Sequence, residues 1–315
     1  MKTIRDLLND SDAIILPREE RELLIALVLK KDRVFVLAHP EATLTSRQEK
    51  RVKRYFTRRI AHEPLALIAK NKEFFGRNFW INKHTLVPRP ETELLVEKTW
   101  EYILSTLKFL EPSHASQSAH ASFDGHVLLI DVGTGSGNIL ITLAREMEEK
   151  NISQKNVELV GVDISLGALR VARKNARKIL SNTSPRFFHS DLLSALPRTL
   201  FQRTKRLILT ANLPYLSRLR YENAPKDVRQ YEPKSALVSG ADGFSHYRTL
   251  FETLFEIEQK NILPHSVTLF LEIDPQQRAL LREAVSRYFP RASLLFFQDL
   301  AHRFRIARIE IEKLP

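Results

Sequence analysis

The feature that most constrains the fold is an alternation of short apolar runs and amphipathic stretches that begins at Val127. "VLLIDV" (Val127–Val132) precedes a helical pattern from Ile139 to Glu149, and "VELVGVD" (Val157–Asp163) precedes one from Gly167 to Leu180. "RFFHSD" is followed by "RLILTAN", then come a helix from Phe244 to Lys260, "VTLFLEI", a helix from Gln276 to Tyr288, "SLLFFQD" and "FRIARIEI". Apolar runs without in–out alternation are what strands covered on both faces look like. Interleaved with helices, they predict an α/β fold with a doubly wound, mostly parallel, seven-stranded sheet whose ligands lie at the carboxyl ends of the strands. The last two runs have little between them, which predicts an antiparallel pair at one edge.

"LLIDVGTGSGN" puts Asp131 at the end of the first run, followed by Gly133, Thr134, Gly135, Ser136 and Gly137. Glycines let a backbone turn sharply and let a ligand lie against it without a Cβ in the way. The helix that follows aims its free N–H groups at that ligand. A dinucleotide fingerprint would need a third glycine where Asn138 stands, and no GK[ST] phosphate cradle is present. The GxGxG loop resembles instead the first motif of class I S-adenosylmethionine-dependent methyltransferases. That resemblance implies S-adenosylmethionine as the cofactor. Asp163, at the second strand end, would accept the ribose hydroxyls, and Asp191 with the backbone N–H of Leu192, at the third, would read adenine. Either aspartate alone is as well explained by a helix cap; three strand ends in order favour the cofactor.

The fourth strand ends in "NLPY", Asn212, Leu213, Pro214 and Tyr215. This fits the (D/N/S)-x-P-(Y/F/W) motif of methyltransferases acting on planar NH2 groups conjugated to a π system. Such a nitrogen is a poor nucleophile because its lone pair is delocalised. The Asn212 side-chain oxygen and the Leu213 carbonyl can accept its two N–H bonds and turn the lone pair toward an incoming methyl group. Pro214 restrains the turn, and Tyr215 offers a flat face to lie against. Elsewhere in a chain Asn-x-Pro is an ordinary turn; at the fourth strand end of this sheet it carries chemistry. The acceptor can be an amide or the amino group of adenine or cytosine, and Asn212 also lines the cofactor side in this reading.

Ahead of the sheet, residues 1–70 read as a small helical domain. Pro17 opens "REERELLIALVLKKD", with Leu23, Leu24, Leu27 and Val28 on one stripe, and "SRQE" (Ser46–Glu49) has the form of a capping box. "EFFGRNFWIN" reads as a hairpin turning at Gly76, and residues 71–91 as hairpin and linker, before a methyltransferase domain over 92–315. "EPSHASQSAHASFDGH" (Glu111–His126) reads as a flexible insertion. Its His114, His120 and His126 have no fixed geometry to hold a metal, and none is expected.

A length of 315 residues suits two domains. No apolar run approaches the roughly 20 residues of a membrane helix. The absence of cysteine excludes disulfides and thiolate chemistry and fits a reducing cytoplasm. The net charge of +12 fits a polyanionic neighbour such as RNA or the ribosome, and equally a solubilising surface. "RQEKRVKRYFTRR" (Arg47–Arg59) reads as a helix with a solvated basic face.

"EPLALIAKNKEFFGRNFWINKHTLVPRPETELLVE" (Glu63–Glu97), with "YEPKSALVSGADG" and "QDLAHRFRIARI" further on, resembles the HemK/PrmC-type release-factor glutamine methyltransferases over nearly the whole chain. The resemblance implies transfer of a methyl group to the side-chain amide nitrogen of the glutamine in the Gly-Gly-Gln motif of peptide-chain release factors. It implies that Asn212–Tyr215 hold that amide, that the helical domain grips the release factor, and that the loop carrying Arg89 sits by the pocket. A cytoplasmic monomer is expected. The family has N-P-P-Y where this chain has Leu213. "NLPY" also resembles rRNA adenine dimethyltransferases, so an adenine N6 methyltransferase is the rival reading. A binding module without catalysis is a third, which the intact Asn212, Pro214 and Tyr215 disfavour.

Overall fold

The computed structural model describes residues 2–106, 108–109, 121–122, 125–152 and 156–312. Seven strands form one sheet: β1 (Val127–Val132), β2 (Val157–Asp163), β3 (Arg186–His189), β4 (Arg206–Ala211), β5 (Ser266–Glu272), β6 (Ser293–Gln298) and β7 (Phe304–Glu312). Their spatial order is β6-β7-β5-β4-β1-β2-β3. Strands β1 to β5 run parallel, while β7 pairs antiparallel with both β5 and β6. The edge pair expected from sequence is therefore present. Because the connections leave β1 in one direction and reach β4 on its other side, the strand order reverses between β1 and β4, where a crevice opens at the carboxyl ends.

Helices α1 (Thr92–Thr106), α2 (Asn138–Glu149), α3 (Leu166–Ile179), α4 (Ser245–Gln259) and α5 (Arg278–Tyr288) flank the sheet. β1 is buried at every position, since helices cover both faces. Tyr247, Phe251 and Phe289 pack on one face with Leu207 and Leu209. Val96, Ile141 and Met147 pack on the other with Leu129 and Ile208.

The two-residue turn of the hairpin Asn71–Phe74 and Arg77–Trp80 places both Phe75 (φ 51°) and Gly76 (φ 69°) in the left-handed region. That is the turn whose twist matches two antiparallel strands. Lys108–Phe109 and Ala121–Ser122 pair as two short antiparallel strands, so the second lies inside the stretch read as an insertion. The rest of that insertion up to Asp124, His114 and His120 included, lies outside the described residues.

The chain divides into two compact units, residues 1–72 with 224–232, and residues 73–223 with 233–315. The first has its own core, in which Ile4, Leu24, Ile25, Val28, Val52 and Phe56 are buried. Leu23, expected on the buried stripe, is 44% exposed; Ile25 takes the inward position instead. The capping box of the basic helix Ser46–Ile60 is made by Thr45 and Gln48, one residue ahead of the pair read from sequence. Its basic face is partly neutralised: Arg59 pairs with Glu20 at 2.7 Å and Arg58 with Glu63. Among the described residues no helix is long and apolar enough to cross a membrane.

Candidate active site

The β-register builds the site. Val132 pairs with Val162 on one side and Ala211 on the other, and Ala211 pairs with Leu271. The first residues beyond these pairs, Gly133, Asp163, Asn212 and Glu272, are therefore neighbours along one line at the carboxyl edge. A cleft opens there, lined by Gly133, Thr134, Gly135, Ser136, Asp163, Asp191, Leu192, Asn212, Leu213, Pro214 and Arg89 among others. Of the residues singled out in the sequence, Gly137 and Tyr215 do not line it.

Gly133, Gly135 and Gly137 all have positive φ. A Cβ on Gly135 would meet nothing nearer than the Gly133 carbonyl oxygen at 3.8 Å, so that side of the loop is left bare. Gly137 serves packing: its φ is 79°, and a Cβ there would lie 2.5 Å from Ile141 Cδ1. Beneath the loop Asp131 is fully buried and accepts hydrogen bonds from Thr134 Oγ1 at 2.7 Å and Thr210 Oγ1 at 2.9 Å. Burial pushes its carboxyl up to about 6, although both hydroxyls favour the ionised form.

Asp163 Oδ2 accepts the Gly135 N–H and Oδ1 the Ser165 N–H, both at 2.8 Å. Burial raises its carboxyl, against the pull of those two N–H groups. Each carboxylate oxygen has a further lone pair, so Asp163 can still accept from a ligand. Leu192 holds φ 47°, a strained conformation for a side chain of this size, and so turns the backbone after β3 into the cleft wall.

At the fourth strand end the Asn212 amide nitrogen Nδ2 donates to Thr92 Oγ1 at 3.0 Å. The Leu213 N–H donates to Tyr247 Oη at 3.4 Å, and the single Tyr247 O–H has the Glu272 carbonyl as its nearer acceptor, with the Ala211 carbonyl also in reach at 3.2 Å. One buried phenol thus ties down the backbone on either side of Asn212. The Leu213 side chain is buried against the glycine loop, its Cδ2 3.1 Å from where a Gly133 Cβ would stand. Burial, with Glu272 beside it, pushes the Tyr215 phenol up to about 12, so it is neutral at physiological pH.

Several residues of the site were not anticipated. His84, Thr85, Leu86 and Pro88 line the cleft from the linker, Pro233, Ser235 and Ala236 from the "EPKSAL" stretch, and His246 from the start of α4. His246 Nδ1 lies 2.7 Å from Ser239 Oγ, and burial lowers its pKa. Asn175 on α3 is fully buried. Its Nδ2 donates to the carbonyls of Trp80 and Ser136, both at 2.9 Å, and its Oδ1 accepts the Trp80 N–H at 2.8 Å. It staples hairpin, glycine loop and helix together. An isolated Asn in "RVARKNARKI" gives no signal of this.

Residues 1–69 match the family model described as the PrmC N-terminal domain, and residues 124–206 the one described as a methyltransferase domain. The release factor glutamine methyltransferase of Bacillus cereus is 30% identical over 92% of each chain. That of Bacillus subtilis is 30% identical over 95% of each, and that of Buchnera aphidicola 32% identical over 86% of this chain and 84% of its own. Among solved structures, the hMettl16 catalytic domain, crystallised with an MAT2A 3'UTR hairpin, superposes with a TM-score of 0.50 at 13% identity, covering 76% of this chain and 79% of its own. At that identity it speaks for the fold alone.

Proposed function

The chain belongs to the release factor glutamine methyltransferase family, and on that footing we propose that it methylates the side-chain amide nitrogen of the glutamine in the Gly-Gly-Gln motif of peptide-chain release factors. The observation that carries the proposal is the placement of Asn212 at the mouth of the strand-order reversal, with its amide nitrogen engaged by Thr92. The hydrogen-bonding atom its side chain retains is an acceptor, Oδ1, which is what an incoming NH2 group needs.

The cleft suits S-adenosylmethionine. Gly135 presents bare backbone, α2 begins at the loop, and Asp163 holds a carboxylate between two strand ends. Gly133–Ser136, Asp163, Asp191 and Leu192, which line the cleft, would hold the cofactor. When bound, it supplies a methyl group already activated on a sulfonium. The chain's task is then to position the acceptor and exclude water. Asn212 Oδ1 and the Leu213 carbonyl accept the two N–H bonds of the substrate amide and fix its plane. Pro214 stiffens the turn, so the carbonyl is held before substrate arrives. Tyr215, neutral and partly buried, limits how far that turn can move. No strong base is required, because the amide nitrogen becomes acidic once alkylated. We assign recognition of the release factor to the helical unit over residues 1–70, whose sequence matches a domain of that family, and contact with the substrate loop to Arg89. The proposed setting is the cytoplasm, where release factors act.

The rival reading, an adenine amino group as acceptor, has the "NLPY" motif and the net charge of +12 in its favour; against it, relatives aligned over 92–95% of the chain are named for glutamine. Separate incubations with labelled cofactor and either release factor or rRNA decide between them. Label in the Gly-Gly-Gln peptide is expected. Label in RNA and none in that peptide would overturn the proposal.

A further inference from the structure

We propose that Glu272 is a positioning residue for the methyl acceptor: together with Thr92 it holds the Asn212 carboxamide in the orientation that turns its oxygen, and not its nitrogen, toward the substrate amide. The inference rests on the function proposed above.

A carboxamide can be flipped by half a turn with almost no change in shape. Flipped, Asn212 would set an N–H donor against the N–H donors of the substrate. Nothing within the motif prevents this, so the choice must come from what touches the amide from behind. The register places Glu272 there, because Leu271 pairs with Ala211 and the next residues along are Glu272 and Asn212. The Thr92 hydroxyl and the Asn212 amide both lie beside the Glu272 carboxyl and favour its ionised form. Thr92 Oγ1 also accepts from Asn212 Nδ2 at 3.0 Å. Thr92 therefore gives its proton to the carboxylate and takes one from the amide. Nδ2 thus has the Thr92 oxygen, and beside it the Glu272 carboxyl, behind it. A flip would press Oδ1 against an anion and against a hydroxyl whose proton is already committed.

A purely structural role does not account for an acid here. Glu272 is buried, and its Oε2 has no hydrogen-bond partner. A buried carboxylate with an unpaired oxygen is costly, and an apolar or amide side chain of similar size would serve the core as well. What only an ionised carboxylate provides is an acceptor without a donor. The groups facing it are Arg305 on β7, which favours the charge, and Glu91 ahead of α1, which opposes it; Tyr215 and Tyr247 lie close by and are neutral. Burial outweighs these and pushes the carboxyl up to about 7. Protonated, Glu272 gains a donor that can satisfy Oδ1, and the orientation is no longer enforced. The ionised form is the one that works, so turnover rises with pH through neutrality.

The full-length enzyme is assayed with release factor from pH 5.5 to 8.5, comparing wild type with Glu272→Gln, Thr92→Val, Thr92→Ser and Asn212→Ala. Glu272→Gln should lose the limb rising through neutral pH and turn over several-fold more slowly at pH 8. Its KM for release factor and its calorimetric Kd for cofactor should stay within about threefold, a change of well under a tenfold step. Thr92→Val should lower kcat about tenfold, the loss of one positioning hydrogen bond, and Thr92→Ser should restore it. A Glu272→Gln enzyme with wild-type kcat and pH profile would overturn the inference, as would a Thr92→Val enzyme of wild-type rate. If Asn212→Ala is slow while both of these are normal, only the positioning role fails. If Asn212→Ala itself transfers methyl at the wild-type rate, the acceptor pair on which the proposed function rests fails.

Discussion

Asp131 shows how a single buried carboxyl is tied to the loop above it. Its ordinary pKa of 3.8 rises to about 6 in the folded chain, with burial as the largest cause. Between those values the folded state holds the proton more tightly than the unfolded chain, so the stability this group contributes is present at low pH and falls as pH rises through about 6. Asp131→Asn should therefore gain on wild type as pH goes from 4 to 6.5 in urea midpoints; a constant difference across that range would refute the assignment. Leu213 poses the other residue-scale question. Replacing it with Pro restores the family's N-P-P-Y but removes the N–H bonded to Tyr247 and a buried side chain. The carbonyl remains, so Leu213→Pro should cost about 1–3 kcal/mol of stability while turnover stays within roughly fivefold. Asn212 and Leu213 were legible because the motif follows an apolar run and ends in Pro and Tyr. Glu272 and Thr92 were not: the acid is one residue at the end of a long apolar run, and Thr92 meets Asn212 across 120 positions of sequence.

At the scale of elements, the strands were legible because buried parallel strands read as unbroken apolar runs, and their mostly parallel direction followed from the interleaved helices. The joints between elements were not. Asn175 joins α3, the hairpin and the glycine loop by three hydrogen bonds, and nothing in its neighbours' spacing marks it. Asn175→Ala leaves the half-buried backbone groups of Trp80 and the buried carbonyl of Ser136 unpaired and should cost about 2–4 kcal/mol, read in denaturant unfolding, with weakened cofactor affinity because the loop loses its anchor. Gly137 was read as part of the ligand cradle, yet it faces α2 and α3. A Cβ there would meet Ile141 and the Ala172 methyl at 3.3 Å, in a left-handed conformation. Gly137→Ala should destabilise the protein by about 1–3 kcal/mol; an unchanged melting temperature would show the loop to be more plastic than this.

For the whole molecule, the composition was informative mainly by exclusion: no cysteine and no membrane helix among the described residues. The excess positive charge is not a uniform footprint, since the basic helix spends Arg58 and Arg59 on Glu63 and Glu20. Each compact unit has its own core, and every residue lining the cleft belongs to the second. Cofactor should therefore raise the calorimetric transition that reports the sheet and leave the one that reports the helical unit in place; a single transition shifting as a whole would contradict this. Substrate choice was the least legible property, because the same four residues serve an amide or a flat base.

The most direct measurement is the single-turnover rate of methyl transfer by Asn212→Ala, saturated with S-adenosylmethionine and presented with release factor, beside its calorimetric affinity for the cofactor. Two fixed acceptors gripping the glutamine amide predict a loss on the order of 100-fold or more, the scale found when one preorganised hydrogen-bonding group is removed, with cofactor affinity largely kept. A rate near wild type would contradict the account.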